Sequence, residues 1–375
     1  MNNTNKIDLV VIYGGRSGEH EVSLLSSRSV LDAINKDRYN ITEVGITHDG
    51  QWLSGENTWE ALNSGNTHHL VPVTLLPVPG SDTLFAISGT SGSKELKPLA
   101  HIDVVLPILH GTYGEDGTLQ GLLEMADLAY VGAGVLGSSV GMDKGIFKDV
   151  MRAHDIPVPN WVVASKKDIQ TNMDAVIDRG ELVSRYPLFV KPANLGSSVG
   201  VTKCKNRSDL FEGLLDAVRF DRRVLVEQGI NAREIEVSVL GNDQAIASLP
   251  GEICPRLEFY SYRAKYIEDS TELLIPAPLD EKTIKHIQTL AIRAYQAIDC
   301  AGMARVDFLM DRDSGEVYIN ELNTIPGFTS ISMYPKLWEN SGIPYPELID
   351  RLIDLALERR QSMDGIERSY GEMHG

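Results

Sequence analysis

Met303-Ala-Arg-Val-Asp307-Phe-Leu-Met-Asp-Arg-Asp-Ser-Gly-Glu-Val-Tyr-Ile-Asn-Glu321-Leu-Asn323 is a pair of apolar runs joined by a turn. Asp311-Arg-Asp-Ser-Gly315 has hairpin turn chemistry, with Gly315 able to take positive φ. A turn centred on Ser314 sets Asp307 opposite Glu321 and Arg305 opposite Asn323. Period-two alternation then gathers these four on one face and sends Val306, Phe308, Tyr318 and Leu322 to the other. Two carboxylates and an amide are hard oxygen donors of the kind that suit Mg²⁺, which takes its other ligands from water and substrate phosphates. Read alone, the hairpin is equally a solvated face with a cross-strand arginine.

A second signal lies upstream in Phe189-Val-Lys191-Pro-Ala-Asn-Leu-Gly196-Ser-Ser-Val-Gly200. A strand ends at Lys191, and a small-residue loop leads to another strand, 199–203. Backbone N–H groups freed by Gly and Ser line an anion well, and Lys191 adds a point charge. The Gly-Lys-Ser/Thr of a Walker loop is absent. Paired with the oxygen-ligand hairpin, this loop reads as part of a nucleotide-triphosphate site.

The rest of the chain arranges itself around these two. A buried-strand pattern, 7–13, a turn at Gly14-Gly15, a helical pattern over 19–34 and a strand over 41–46 make a β-α-β unit, which implies a parallel sheet. Residues 54–100, rich in Gly, Ser, Thr and Pro, predict irregular structure or short edge strands. A strand at 103–109 and a turn-rich stretch, 110–117, lead into a helix from Thr118 to Ala126. The glycines from Gly132 to Gly141 read as a boundary, followed by a helix over 143–154 that stops before Pro157. Strands alternate with helices from there to a helix over 346–360.

Several of the connecting loops carry chemistry. Gly14-Gly-Arg-Ser-Gly-Glu19 joins a strand to a helix N-terminus, where Glu19 reads locally as a complement to the helix dipole. His110-Gly-Thr-Tyr-Gly-Glu115-Asp-Gly117 follows a buried strand, the carboxyl-end position of ligand loops in α/β sheets; the plain alternative has His110 capping the turn. Asn323-Thr-Ile-Pro-Gly327-Phe-Thr-Ser-Ile-Ser332 predicts a tight turn whose Gly327 N–H and Ser hydroxyls can meet a carboxylate or oxyanion. The aromatic and basic stretch 259–266, with the polar residues after it, is a lid candidate, or equally a plain surface loop.

Composition narrows the function classes. The 375 residues, 42% hydrophobic and 23% charged, describe a soluble globular protein of two or three domains at about 150 residues each. Lys+Arg 35 against Asp+Glu 52 leaves a net charge of −17. That argues against nucleic acid or an anionic membrane as partner. Cys204, Cys254 and Cys300 are far apart and odd in number, so neither a disulfide framework nor a zinc site is expected. The start, MNNTNKIDLV, lacks a secretory pattern. The longest apolar run, 104–109, is far short of the roughly 20 residues of a membrane helix. A cytoplasmic protein is expected.

Taken together these stretches resemble the D-alanine–D-alanine ligases of bacterial cell-wall synthesis, members of the ATP-grasp superfamily. The resemblance runs in order through GGRSGEHEVS (14–23), LHGTYGEDGTLQG (109–121), GMDK (141–144), KPANLGSSVG (191–200), YRAKY (262–266), ARVDF (304–308) and NELNTIPGFTSIS (320–332). It implies an α/β fold, α+β in its C-terminal part: an N-terminal parallel-sheet domain (1–132), central (133–228) and C-terminal (229–362) lobes that clamp ATP between two antiparallel sheets, and a mobile tail (363–375).

The resemblance also implies residue roles. Asp307, Glu321 and Asn323 match ligands of two Mg²⁺ ions, which Mn²⁺ can replace. Lys144 and Lys191 match nucleotide-phosphate lysines, Glu227 an adenine contact and Glu234 a ribose contact, with Ser198 and Ile230 completing the ATP site. Glu19 matches the holder of the first D-alanine's amine, in a network with Ser197 and Tyr266. His110 matches a residue beside the first carboxylate. Arg305 and the Gly327 N–H match the oxyanion donors, and Ser332, with Lys265 of the lid, matches the substrate contacts. Tyr266 after Lys265 fits the dipeptide-forming pattern. Formation of D-alanyl-D-lactate or D-alanyl-D-serine, another ATP-grasp ligation, and a silent nucleotide-binding protein are the alternatives. A homodimer is implied.

Overall fold

The structure, a computed structural model, describes residues 6–90, 92–197, 199–255 and 271–367. In β1 (Ile7–Gly14), Leu9 to Tyr13 are almost completely buried. A strand apolar on both faces needs cover on both, which parallel sheets with crossover helices provide. It pairs in parallel with β2 (Tyr39–Ile46) and, on its other side, with β7 (Val104–Ile108), which pairs in parallel with β8 (Ala129–Tyr130). Strand order therefore reverses at β1 and β7, and the loops after their carboxyl ends lie side by side, the usual place for a ligand.

Residues 54–100, expected to be irregular or to form short edge strands, form strands at the edge of the sheet, two of them 8 and 9 residues long. The chain crosses β3 (Trp52–Ser54), a helix, Thr58–Ser64, then β4 (Val71–Leu75), β5 (Thr83–Thr90) and β6 (Ser93–His101). These extend the sheet antiparallel to the order β6-β5-β4-β3-β2-β1-β7-β8. The edge strand β6 is exposed almost throughout. With neither face buried it carries no apolar alternation, and its Lys94, Lys97 and Pro98 are edge-strand residues.

The second sheet is antiparallel: β9 (Trp161–Ser165), β10 (Leu188–Pro192), β11 (Thr202–Cys204) and β12 (Arg223–Gln228), in the order β11-β10-β12-β9. Leu188, Val190, Val224 and Val226 pack beneath it on Val176, Ile177, Leu210 and Leu214 of two helices. Phe189, Lys191 and Glu227 alternate to the opposite face.

The third sheet runs β16-β15-β13-β17-β18, built from β13 (Ala232–Gly241), β15 (Gly251–Pro255), β16 (Thr271–Leu274), β17 (Gly302–Asp311) and β18 (Val317–Asn323), with β14 (Ile246–Ala247) beside β13. Its core face packs on Ile287, Leu290, Ala291 and Ala294 of helix Glu281–Ala297.

Two helices differ from the sequence expectation. The stretch 133–142, taken as a boundary, contains helix Val135–Met142. Its glycines disguise it and also explain it: a Cβ on Gly137 would stand 3.2 Å from Cys300 Cα, and one on Gly141 3.1 Å from Thr324 Cγ2. The last helix runs Tyr345–Asp364, into the segment expected to be tail. Its Leu348, Ile349, Leu352 and Ile353 are buried in the same core as Leu9, Val11, Val104 and Leu106. The two ends of the chain thus share one core.

Candidate active site

Glu19 sits at the N-cap position of helix His20–Ala33, yet its side chain makes no cap hydrogen bond. The carboxylate instead accepts from the Ser197 hydroxyl across the cleft. Gly111, at φ +74°, and Gly196 hug it: a Cβ would approach Glu19 Oε2 to 2.5 Å and 2.8 Å respectively. The residues that join this corner come from loops 178 positions apart.

His110 is 4% exposed. Its Nδ1 is 2.9 Å from the Ile325 carbonyl and its Nε2 2.9 Å from Ser26 Oγ. The carbonyl only accepts, so Nδ1 carries the proton and Nε2 accepts from Ser26. Burial holds the ring below its ordinary pKa, which keeps it neutral. Glu115 seizes the same loop from the other side, accepting from Gly111 N at 2.7 Å and Ile325 N at 3.2 Å. Burial, then the nearby Glu19, pushes the Glu115 carboxyl up to about 8. Both backbone polar groups of Ile325 are therefore held by the His110–Gly117 loop, which fixes the 323–327 turn against the N-terminal sheet.

Glu19, His110, Glu115, Ser197, Arg305 and Gly327 line a cavity of about 60 Å³. Lys144, Gly196, Ser197 and Glu321 line it too, and the same four line a second cavity of about 230 Å³ between the two antiparallel sheets. Phe189, Lys191, Glu227, Ile230, Glu234, Asp307 and Asn320 are also part of that wall.

The hairpin pairs Asp307 with Glu321 and Arg305 with Asn323, as expected. Between Asp307 and Phe308 the register shifts by a bulge, so Phe308 faces Ile319. Tyr318, expected on the same face as Val306 and Phe308, is therefore turned to the other, where its hydroxyl donates to Glu316, while Val317 and Ile319 are buried. The extra residue, Asn320, reaches Lys191 instead. Arg305 donates to both oxygens of Asp307 at 2.7 Å and lies 3.0 Å from Glu236; Asn323 donates to Asp307 at 3.0 Å. Asp307, Glu321 and Asn323 are hard oxygen donors, Glu321 lining both cavities, Asp307 the larger and Asn323 the smaller, and the donor set fits Mg²⁺.

Lys144 follows Asp143, whose side chain caps Gly145 and Ile146 and is itself held by Arg223 and Asn194. Its ammonium donates to the Leu195 carbonyl at 2.8 Å and stands 3.6 Å from Glu321. Lys191 donates to Glu227 at 2.6 Å; Lys148, 1% exposed, stands 2.8 Å from the other Glu227 oxygen. Ser332 Oγ lies 2.7 Å from Thr329 Oγ1, beside Gly327. Ser198, Lys265 and Tyr266 lie outside the described residues.

Sequence reading passed over Ser26, Lys148 and Glu236, and placed Glu115 in a ligand loop without giving it a role. For two of them a signal was present. Lys148 is four residues after Lys144 on one helix face, and Glu236 alternates with Glu234 along β13. Ser26 and Glu115 act through contacts 84 and 210 positions away, which no local pattern announces.

Family models described as D-ala D-ala ligase N-terminus and D-ala D-ala ligase C-terminus match residues 8–133 and 150–354. The chain belongs to the D-alanine–D-alanine ligase family. A D-alanine–D-alanine ligase of Heliobacterium modesticaldum is 51% identical over 354 residues, 94% of this chain and 95% of its own. That of Acetivibrio thermocellus is 48% identical over 371 residues, covering 95% and 97%. Among solved structures, the D-alanine–D-alanine ligase of Coxiella burnetii superposes with a TM-score of 0.80 at 38% identity, over 96% of both chains. A D-Ala:D-Ser ligase of Enterococcus faecalis gives 0.83 at 34%, over 94% of this chain and 99% of that one. The ligase family's ATP-grasp architecture is the one seen here, with a cleft between two antiparallel sheets. Among the described residues no helix is long and apolar enough to cross a membrane.

Proposed function

We propose that this chain joins two molecules of D-alanine into D-alanyl-D-alanine at the expense of ATP, a step of peptidoglycan precursor synthesis. One observation carries the reading: the small polar cavity at Glu19 adjoins the larger cavity between the antiparallel sheets, Lys144, Gly196, Ser197 and Glu321 lining both. An amino acid held in the first presents its carboxylate to a phosphate held in the second.

Glu19, oriented by Ser197, takes the ammonium of the first D-alanine. A carboxylate oxygen attacks the γ-phosphorus, ADP leaves, and a D-alanyl phosphate remains. Lys144 and Lys191 counter the phosphate charge. Asp307, Glu321 and Asn323 would hold Mg²⁺, or Mn²⁺ in its place, whose chemistry there is neutralisation of phosphate charge. The amine of the second D-alanine, its carboxylate on Ser332, then attacks the acyl carbon. Arg305, oriented by Asp307 and Glu236, and the Gly327 N–H receive the oxyanion. The C–O bond to phosphate breaks, and inorganic phosphate leaves with the electron pair and takes up the proton that the amine loses. Neutral His110 borders the first substrate's carboxylate. Glu227 and Glu234 contact the nucleoside, Ile230 and Ser198 complete the ATP site, and Lys265 and Tyr266 belong to a lid that keeps water from the acyl phosphate. In this reading residues 1–132 bring the first substrate's ammonium site, 133–228 and 229–362 the nucleotide clamp, and the working form is a cytoplasmic homodimer.

The test is ADP release from Mg·ATP with D-alanine, with L-alanine, and with D-alanine plus D-lactate or D-serine, the product identified by mass. Dipeptide from D-alanine alone is expected. A predominant mixed product with D-lactate or D-serine moves the second-substrate assignment to that compound, and no product with any of them overturns the reading.

A further inference from the structure

Lys148 lies one helical turn beyond Lys144 in helix Lys144–Ala153, on the same face. Lys144 reaches the cleft, whereas Lys148 lines neither the substrate cavity nor the nucleotide cavity. At 1% exposure its ammonium is shut away with the carboxylate of Glu227, itself 1% exposed, at 2.8 Å. Lys191 takes the other Glu227 oxygen at 2.6 Å and has a second acceptor in Asn320 Oδ1 at 3.3 Å. Three charged groups are thus packed beside the nucleotide cavity, which Lys191 and Glu227 line.

The stoichiometry matters. Lys191 and Glu227 alone would form a neutral pair, with the ammonium committed to a buried carboxylate. Pulling Lys191 towards a phosphate would then strand that carboxylate in a low-dielectric site, which is strongly unfavourable. With two lysines on it, Glu227 keeps a counterion when Lys191 turns, while Glu321 and Glu234 act on Lys191 from the cavity wall. Burial favours the uncharged form of Lys148, and Glu227 opposes this.

We propose that Lys148 is a positioning residue for nucleotide binding: it balances and holds Glu227 so that Lys191 can give its charge to the phosphates. The inference rests on the nucleotide reading of this cleft and not on which amino acids are joined.

The test is calorimetric binding of Mg²⁺ with the non-hydrolysable analogue AMP-PNP to wild type, Lys148→Met, Glu227→Gln and the double variant, with the KM for D-alanine alongside. Lys148→Met is expected to weaken AMP-PNP at least about tenfold while the KM for D-alanine moves less than about twofold. In the Glu227→Gln background the same change is expected to cost nothing, because no carboxylate remains to balance and an unpaired buried lysine is removed. Unchanged affinity in Lys148→Met, or an equal loss in both backgrounds, overturns the proposal. Should Lys148→Met not fold, the comparison of Glu227→Gln with the double variant decides: a double variant about tenfold weaker overturns it, and one that binds no more weakly supports it. Wild type that binds AMP-PNP but makes no dipeptide counts against the ligase reading alone; wild type that does not bind it overturns this inference.

Discussion

Glu19 has two plausible duties in sequence, helix cap or ligand, and its contacts decide between them. Its side chain leaves the helix it precedes and is gripped by Ser197, with Gly111 and Gly196 pressed against it. Gly196→Ala would put a methyl 2.8 Å from Glu19 Oε2. Activity is expected to fall at least about a hundredfold, since misplacement by about 1 Å has that effect. Circular dichroism and the unfolding midpoint should stay close to wild type, and undiminished turnover would refute the packing argument. Glu115 offers a pH test. Its carboxyl is raised from 4.5 to about 8, burial being the main cause. The folded protein keeps this proton after the unfolded chain has lost it, so the group disfavours folding increasingly as pH rises from about 4.5 to about 8. Glu115→Gln, which keeps the shape without titrating, should gain on wild type in unfolding midpoint between about pH 5 and pH 8.5. A constant difference across that range would contradict it.

At the scale of elements the hairpin of β17 and β18 does most to build the site. Alternation alone pairs Asp307 with Glu321; the bulge then adds Asn320 to the same wall and moves Tyr318 outward. A bulge is set by what both strands pack against, so the pairing was legible and the bulge was not. Glu321→Gln and Asp307→Asn each remove a charge from the donor set at nearly constant shape. Turnover is expected to drop on the order of 10³-fold, several kcal/mol of charge stabilisation. The strands should still form, which thermal unfolding would check, and full activity in both variants would remove the metal assignment. Helix Val135–Met142 teaches the converse lesson. Its glycines look like a linker and are instead the close-contact surface against Cys300 and Thr324.

For the whole molecule, the C-terminal helix is as much part of the first core as the strands themselves. Leu348, Ile349, Leu352 and Ile353 are each no more than 1% exposed, and Ala356 is 4%. Tyr39 donates to Asp350 at 2.7 Å, and Arg359 to the Gly132 carbonyl at 2.9 Å. Burial of the four larger side chains is worth about 1.5–3 kcal/mol each, together comparable with a typical total stability of about 5–15 kcal/mol. A chain ending at Pro344 is therefore expected to give no cooperative unfolding transition and to aggregate. A soluble, cooperatively folding truncation would show that the N-terminal core closes without this helix.

Local sequence determined the β-α-β start, the carboxyl-end loops, the strand ending at Lys191 and the pairing of Asp307 with Glu321, because each is written in neighbouring residues with a short period. The family motifs, read in order, tied these to one reaction. Tertiary structure alone decided that Glu115 holds Ile325 and Ser26 holds Phe328, that Lys148 backs Glu227, and that the last helix completes the first core. Those are contacts between residues far apart in the chain, and a pattern read along one strand or helix contains the surface it will bury but not the partner that buries it.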